Sequence, residues 1–140
     1  MQERSDESPH EARAEGEGFS LANRAKSFGY AFAGIALVVR SQHNAWIHCL
    51  ATVLVAGLGF FFPLSALEWS GLILAIAMVW IAEAMNTALE YLADAQSPQQ
   101  NPLVGRAKDA AAGAVLLAAI AAAAVGLTIL GPYCLKFLGF

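Results

Sequence analysis

The chain has 140 residues, 58% of them hydrophobic and 14% charged, and a formal net charge of −3. Soluble domains carry about 25% charged and about 45–50% apolar residues, so a mean hydropathy of +0.55 argues against an ordinary soluble enzyme or a disordered regulator. A pI near 5.5 offers no basic field for nucleic acid, which leaves a small integral membrane protein.

Residues 1–18 carry Glu3, Asp6, Glu7, Glu11, Glu15 and Glu17 against Arg4 and Arg13, with no apolar run. That pattern predicts a disordered acidic tail. It lacks the basic start and apolar core of a secretory signal. The remainder, residues 19–140, reads as one membrane domain. Residues 19–40 mix apolar side chains with Arg24, Lys26 and Arg40 and predict an amphipathic helix lying in the interface.

A helix needs roughly 20 apolar residues to cross the hydrocarbon core. The first such span is 45–62, uncharged apart from His48. The short link Pro63-Leu64-Ser65-Ala66 turns it into a hairpin with a second span, 67–94, whose charged end should sit near the membrane boundary. Residues 95–109 hold two prolines and read as a polar loop. A third span, 110–131, is free of charge and holds ten alanines between Ala110 and Ala124. Such small residues let helices approach closely in lipid. Unbroken apolar segments cannot close a barrel, so the fold class is all-α. Arg24, Lys26, Arg40, Arg106 and Lys108 flank one side and Lys136 the other, which places the N-terminus and the 95–109 loop in the cytosol. Cys49 and Cys134 then lie near opposite faces, as free thiols.

The chemistry is concentrated in the second span. At about 100° per residue, with Glu83 at 0°, Asn86 falls near −60°, Thr87 near +40°, Glu90 near −20° and Asp94 near +20°. All five share one stripe. A carboxylate at membrane depth costs about 2.5–3.5 kcal/mol even on lenient scales. The stripe must therefore face protein, water, a metal ion or a ligand. One reading is that it only glues helices together through hydrogen bonds. Another uses Lys108 and Asp109, which open the third span on the same side. Carboxylates hold Mg²⁺ and a lysine neutralises phosphate oxygens, so acids with one lysine match a metal-bound polyphosphate. No GxxxxGK[ST] motif is present, so any phosphoryl chemistry is built from these helices.

The run EAMNTALEYLAD, followed by GRAKDAAAGAVL, resembles the prokaryotic diacylglycerol kinase family, which includes the undecaprenol kinases. The family pattern E-x-x-N-[ST]-A-[ILV]-E-x-x-x-D is matched by Glu83, Asn86, Thr87, Ala88, Leu89, Glu90 and Asp94. The resemblance extends from about residue 24 to 131. It implies a homotrimeric bundle in the bacterial cytoplasmic (inner) membrane, which phosphorylates a lipid alcohol with ATP and Mg²⁺. By position it makes Glu83 the catalytic carboxylate, supported by Asn86. Glu90 becomes the Mg²⁺ ligand, and Lys108 and Asp109 become nucleotide contacts, with Tyr30, Gln99 and Asn101 near the nucleotide. The family often places a second metal-binding glutamate where this chain has Gln42, an amide that coordinates through oxygen but supplies no charge. Asn44 and His48 match the undecaprenol branch, which slightly favours undecaprenol over diacylglycerol. The alternative is a small proton- or cation-coupled transporter using the intramembrane glutamates. It leaves Glu90, Asp94 and the Lys-Asp pair without roles.

Overall fold

The computed structural model describes residues 21–96 and 101–139, and every element among them is a helix. These are α1 (Leu21–Ser41), α2 (His43–Phe61), α3 (Ala66–Gln96) and α4 (Pro102–Phe137). The acidic tail expected at 1–18 and Gln99 lie outside the described residues. The chain divides into two compact units, Met1–Gly34 and Ile35–Phe140. The described part of the first unit is the start of α1, which exposes Phe28, Tyr30 and Phe32.

In the second unit, α2, α3 and α4 have 19, 31 and 36 residues and are long and apolar enough to cross a membrane. A single extended residue, Gln42, separates α1 from α2. Its backbone N–H donates to the Val38 carbonyl at 3.2 Å, and its own carbonyl accepts from Ala45 N at 3.2 Å. The chain therefore turns without stranding its polar groups.

At the far end of α2, Ser65-Ala66-Leu67-Glu68 starts α3 as a capping box. Ser65 N and Oγ donate to Glu68 Oε2 at 2.7 and 2.6 Å. Tyr133 of α4 donates its hydroxyl to Glu68 Oε1 at 3.1 Å, and its ring stacks on Phe62 at 5.5 Å. One carboxylate thus ties the α2–α3 turn to the last turns of α4.

The helices run antiparallel in a register set by these contacts. Gly59 of α2 faces Trp69 of α3, Thr52 faces Trp80, and His48 faces Glu83. Along the other flank of α3, Glu68 meets Tyr133 and Asp94 pairs with Lys108. The apolar core lies chiefly between α3 (Leu72, Ala75, Val79) and α4 (Ala111, Val115, Ala118). Outside it the bundle is greasy. Trp46, Leu50, Leu74, Ile81, Leu117 and Leu127 are all more than 60% exposed, as expected where hydrocarbon is the solvent.

The helix limits differ most from the sequence reading at the two ends of α4. The stretch 95–109, expected as a loop, is mostly helical: α3 runs on to Gln96 and α4 begins at Pro102. Proline is well placed here because the first helical residue needs no N–H donor. Asn101 caps the helix, its side-chain oxygen accepting from Leu103 N at 2.9 Å. At the other end α4 continues through Pro132 to Phe137, beyond the expected limit at 131. Transmembrane helices tolerate proline where neighbouring groups re-satisfy the freed carbonyl.

Candidate active site

The buried residues of α3 are Leu72, Ala75, Val79, Glu83, Asn86 and Thr87. Their spacing of three and four residues makes one continuous stripe. Its first half is apolar, and it turns polar at Glu83. At 1.5 Å rise per residue, Trp69 and Glu90 are about 30 Å apart along the axis, the thickness of the hydrocarbon core. Glu83 then sits about 10 Å inside the boundary marked by Glu90.

Glu83 is 0% exposed, and neither of its carboxylate oxygens has a hydrogen-bond partner among the described residues. His48 Nε2 of α2 is 3.9 Å from Glu83 Oε2 and is likewise unpartnered. Thr87 is satisfied locally, its hydroxyl donating to the Glu83 carbonyl at 2.9 Å. One level toward the boundary, Glu90 accepts from two amides, Gln42 Nε2 at 2.7 Å and Asn86 Nδ2 at 3.1 Å. Asn86 Oδ1 remains buried without a partner. A further turn out, Lys108 of α4 pairs with Asp94.

Two cavities meet here. The more polar one, of about 240 Å³, gathers Gln42, Asn44, His48, Glu83, Asn86 and Glu90 against apolar side chains of Ile47 and α4. An apolar one of about 550 Å³ lies among α2, α3 and α4, from His48 to Cys134. His48 and Ala119 line both. A polar chamber near the boundary therefore abuts, across His48 and Ala119, an apolar trough running deeper into the bundle.

The structure gathers Gln42, Glu83, Asn86 and Glu90 into one chamber. Lys108 stands just beyond it, engaged with Asp94, and Asp109 is exposed. Asn101 is exposed, its side-chain oxygen used in the α4 cap. Tyr30 is exposed on α1 in the first unit. His48, outside the expected set of site residues, is the side chain that faces Glu83. Its sequence signal is a histidine within an uncharged apolar span.

Among the described residues no group of three or more His, Cys, Asp or Glu side chains could cage a metal ion. Mg²⁺ does not need such a cage, because it commonly binds one or two carboxylates together with substrate phosphates. Glu90, with two side-chain amides on its oxygens and an unpartnered Asn86 Oδ1, is a set of hard oxygen donors that fits this mode.

Residues 29–130 match the family model of prokaryotic diacylglycerol kinase. The chain belongs to that family. It is 38% identical over 107 residues to an undecaprenol kinase of Bacillus subtilis, covering 76% of this chain and 87% of that one. It is 42% identical over 113 residues to a diacylglycerol kinase of Synechocystis, covering 80% of this chain and 65% of that one. The protein is thus a lipid kinase that uses ATP, and the family match together with its long apolar helices makes it an inner-membrane protein. The kinase assignment displaces the transporter alternative, and both cavities of the kinase can be read in terms of its two substrates.

Proposed function

We propose that the polar chamber is the phosphoryl-transfer site and that the apolar trough takes the lipid tail. The observation that carries this reading is the junction of the two cavities beside a fully buried, unpartnered glutamate. The lipid hydroxyl oxygen attacks the γ-phosphorus of ATP. A P–O bond forms to the lipid, the bond to the β-phosphate oxygen breaks, and ADP leaves. Glu83 accepts the hydroxyl proton as transfer proceeds. Asn86 and Gln42 hold the Glu90 carboxylate in place. A Mg²⁺ held by Glu90 would offset charge on the phosphate oxygens. Lys108 and Asp109, with Gln99 and Asn101, serve the nucleotide. The cytosolic side is the one bearing Glu90, which puts the N-terminus in the cytosol and α1 in the interface. The protein works as a homotrimer.

The trough favours a polyprenol such as undecaprenol over diacylglycerol. Its lining is almost entirely hydrocarbon, and two of its few polar groups are already spent on each other: Trp80 Nε1 donates to Thr52 Oγ1 at 3.1 Å. The ester carbonyls of diacylglycerol would be buried there without donors, at about 1–3 kcal/mol for each unsatisfied group. A polyprenol brings a single hydroxyl.

Transfer of labelled phosphate from ATP to undecaprenol or diacylglycerol in mixed micelles tests both points. The expected result is a higher kcat/KM for undecaprenol and a loss of about 10²–10⁴-fold in kcat for Glu83→Gln. Full turnover in Glu83→Gln would remove Glu83 from the chemistry, and a preference for diacylglycerol would overturn the polyprenol assignment.

A further inference from the structure

We propose that His48 and Glu83 together seat the substrate hydroxyl, with His48 Nε2 donating to the oxygen while the oxygen donates its own proton to Glu83 Oε2. This rests on the phosphoryl-transfer reading above and adds a specificity-determining residue to it.

The two atoms are 3.9 Å apart, too far to bond to one another, and each is buried with no partner among the described residues. An unpaired buried carboxylate beside an unpaired buried ring nitrogen is costly. One hydroxyl oxygen relieves both. An oxygen placed about 2.8 Å from each atom subtends an angle of about 90°, within reach of an alcohol that donates once and accepts once.

The seat is rigidly framed. His48 is the first polar side chain of the apolar trough and also lines the polar chamber, so a tail lying in the trough ends at its ring. Its ring meets the Trp80 indole edge-on, with centroids 6.3 Å apart. Trp80 is held in turn by Thr52, whose hydroxyl donates to the His48 carbonyl at 2.7 Å. Thr52 and Trp80 therefore fix both the backbone and the ring of His48.

The test compares wild type with His48→Ala, His48→Gln and Glu83→Gln, varying undecaprenol and MgATP separately in mixed micelles. Inhibition by the corresponding polyprenyl hydrocarbon, which lacks the hydroxyl, is measured alongside. Losing one hydrogen bond at the hydroxyl should raise the KM for undecaprenol about tenfold in His48→Ala. The KM for MgATP and the inhibition by the hydrocarbon should not move. Glutamine, which can still donate an N–H, should restore most of the loss.

An unchanged undecaprenol KM in His48→Ala would overturn the inference. So would an equal loss of hydrocarbon and alcohol binding, which marks a merely structural histidine. Glu83→Gln separates the two levels of failure. If it keeps full turnover, the phosphoryl-transfer reading fails. If it is inactive while His48→Ala behaves as wild type, only the seating role fails.

Discussion

Glu90 is the residue whose surroundings depart most from simple expectation. Its two oxygens are held by two amides and by no cation among the described residues. An amide can turn over and offer oxygen in place of nitrogen, so Gln42 and Asn86 can hold the Glu90 carboxylate and still help bind a metal. Charge is what Gln42 lacks. Glu90→Gln should therefore need about tenfold or more Mg²⁺ for half-maximal transfer, and Gln42→Glu should need less. Titrating Mg²⁺ at saturating ATP checks both, and identical curves would place the metal elsewhere. The stripe itself is legible in the sequence, because 3.6 residues per turn puts Glu83, Asn86 and Glu90 on one face. Gln42 is reached only through the family resemblance, and the place of His48 opposite Glu83 is not legible, because both depend on how α2 registers against α3. No periodicity within one helix reports that.

At the scale of elements, that register is anchored by close approach. A Cβ built on Gly59 would lie 2.7 Å from the Trp69 ring. The glycine lets the indole lie against the α2 backbone near the turn. Gly59→Val should cost about 1–3 kcal/mol by overpacking, with a lower Tm in detergent. Adding Trp69→Leu should recover part of it, since the clash is with the ring. Long charge-free stretches make the spanning helices easy to read. Their ends are harder, because Pro102 marks a helix start where proline is usually taken as a break. What decides is Asn101 just before it, whose carboxamide closes the first turn.

Across the whole molecule, little of the surface that lipid or protein must cover is buried. Buried side chains make up only 11–33% of the apolar windows of the spanning helices. The trough and the chamber both open to the outside of the bundle, and α4 is lined with alanines that permit close neighbours. These features support the homotrimer, in which adjoining copies would cover the open side of the site. Amine-reactive cross-linking in native membranes should stop at a three-chain band. Monomer alone, in membranes that retain transfer activity, would overturn it.

The polar ends of α3 clamp the protein vertically. Glu68, with its tyrosine and serine partners, belongs at one water boundary and Glu90 at the other, about 30 Å away. A bilayer of different thickness must drag one of these anchors into oil, tilt the bundle or deform itself. Each adjustment moves Glu83 relative to the depth at which the alcohol floats. Turnover in vesicles of graded acyl-chain length should therefore peak at one thickness and fall on either side, so that the surrounding membrane acts as a ruler for the reaction.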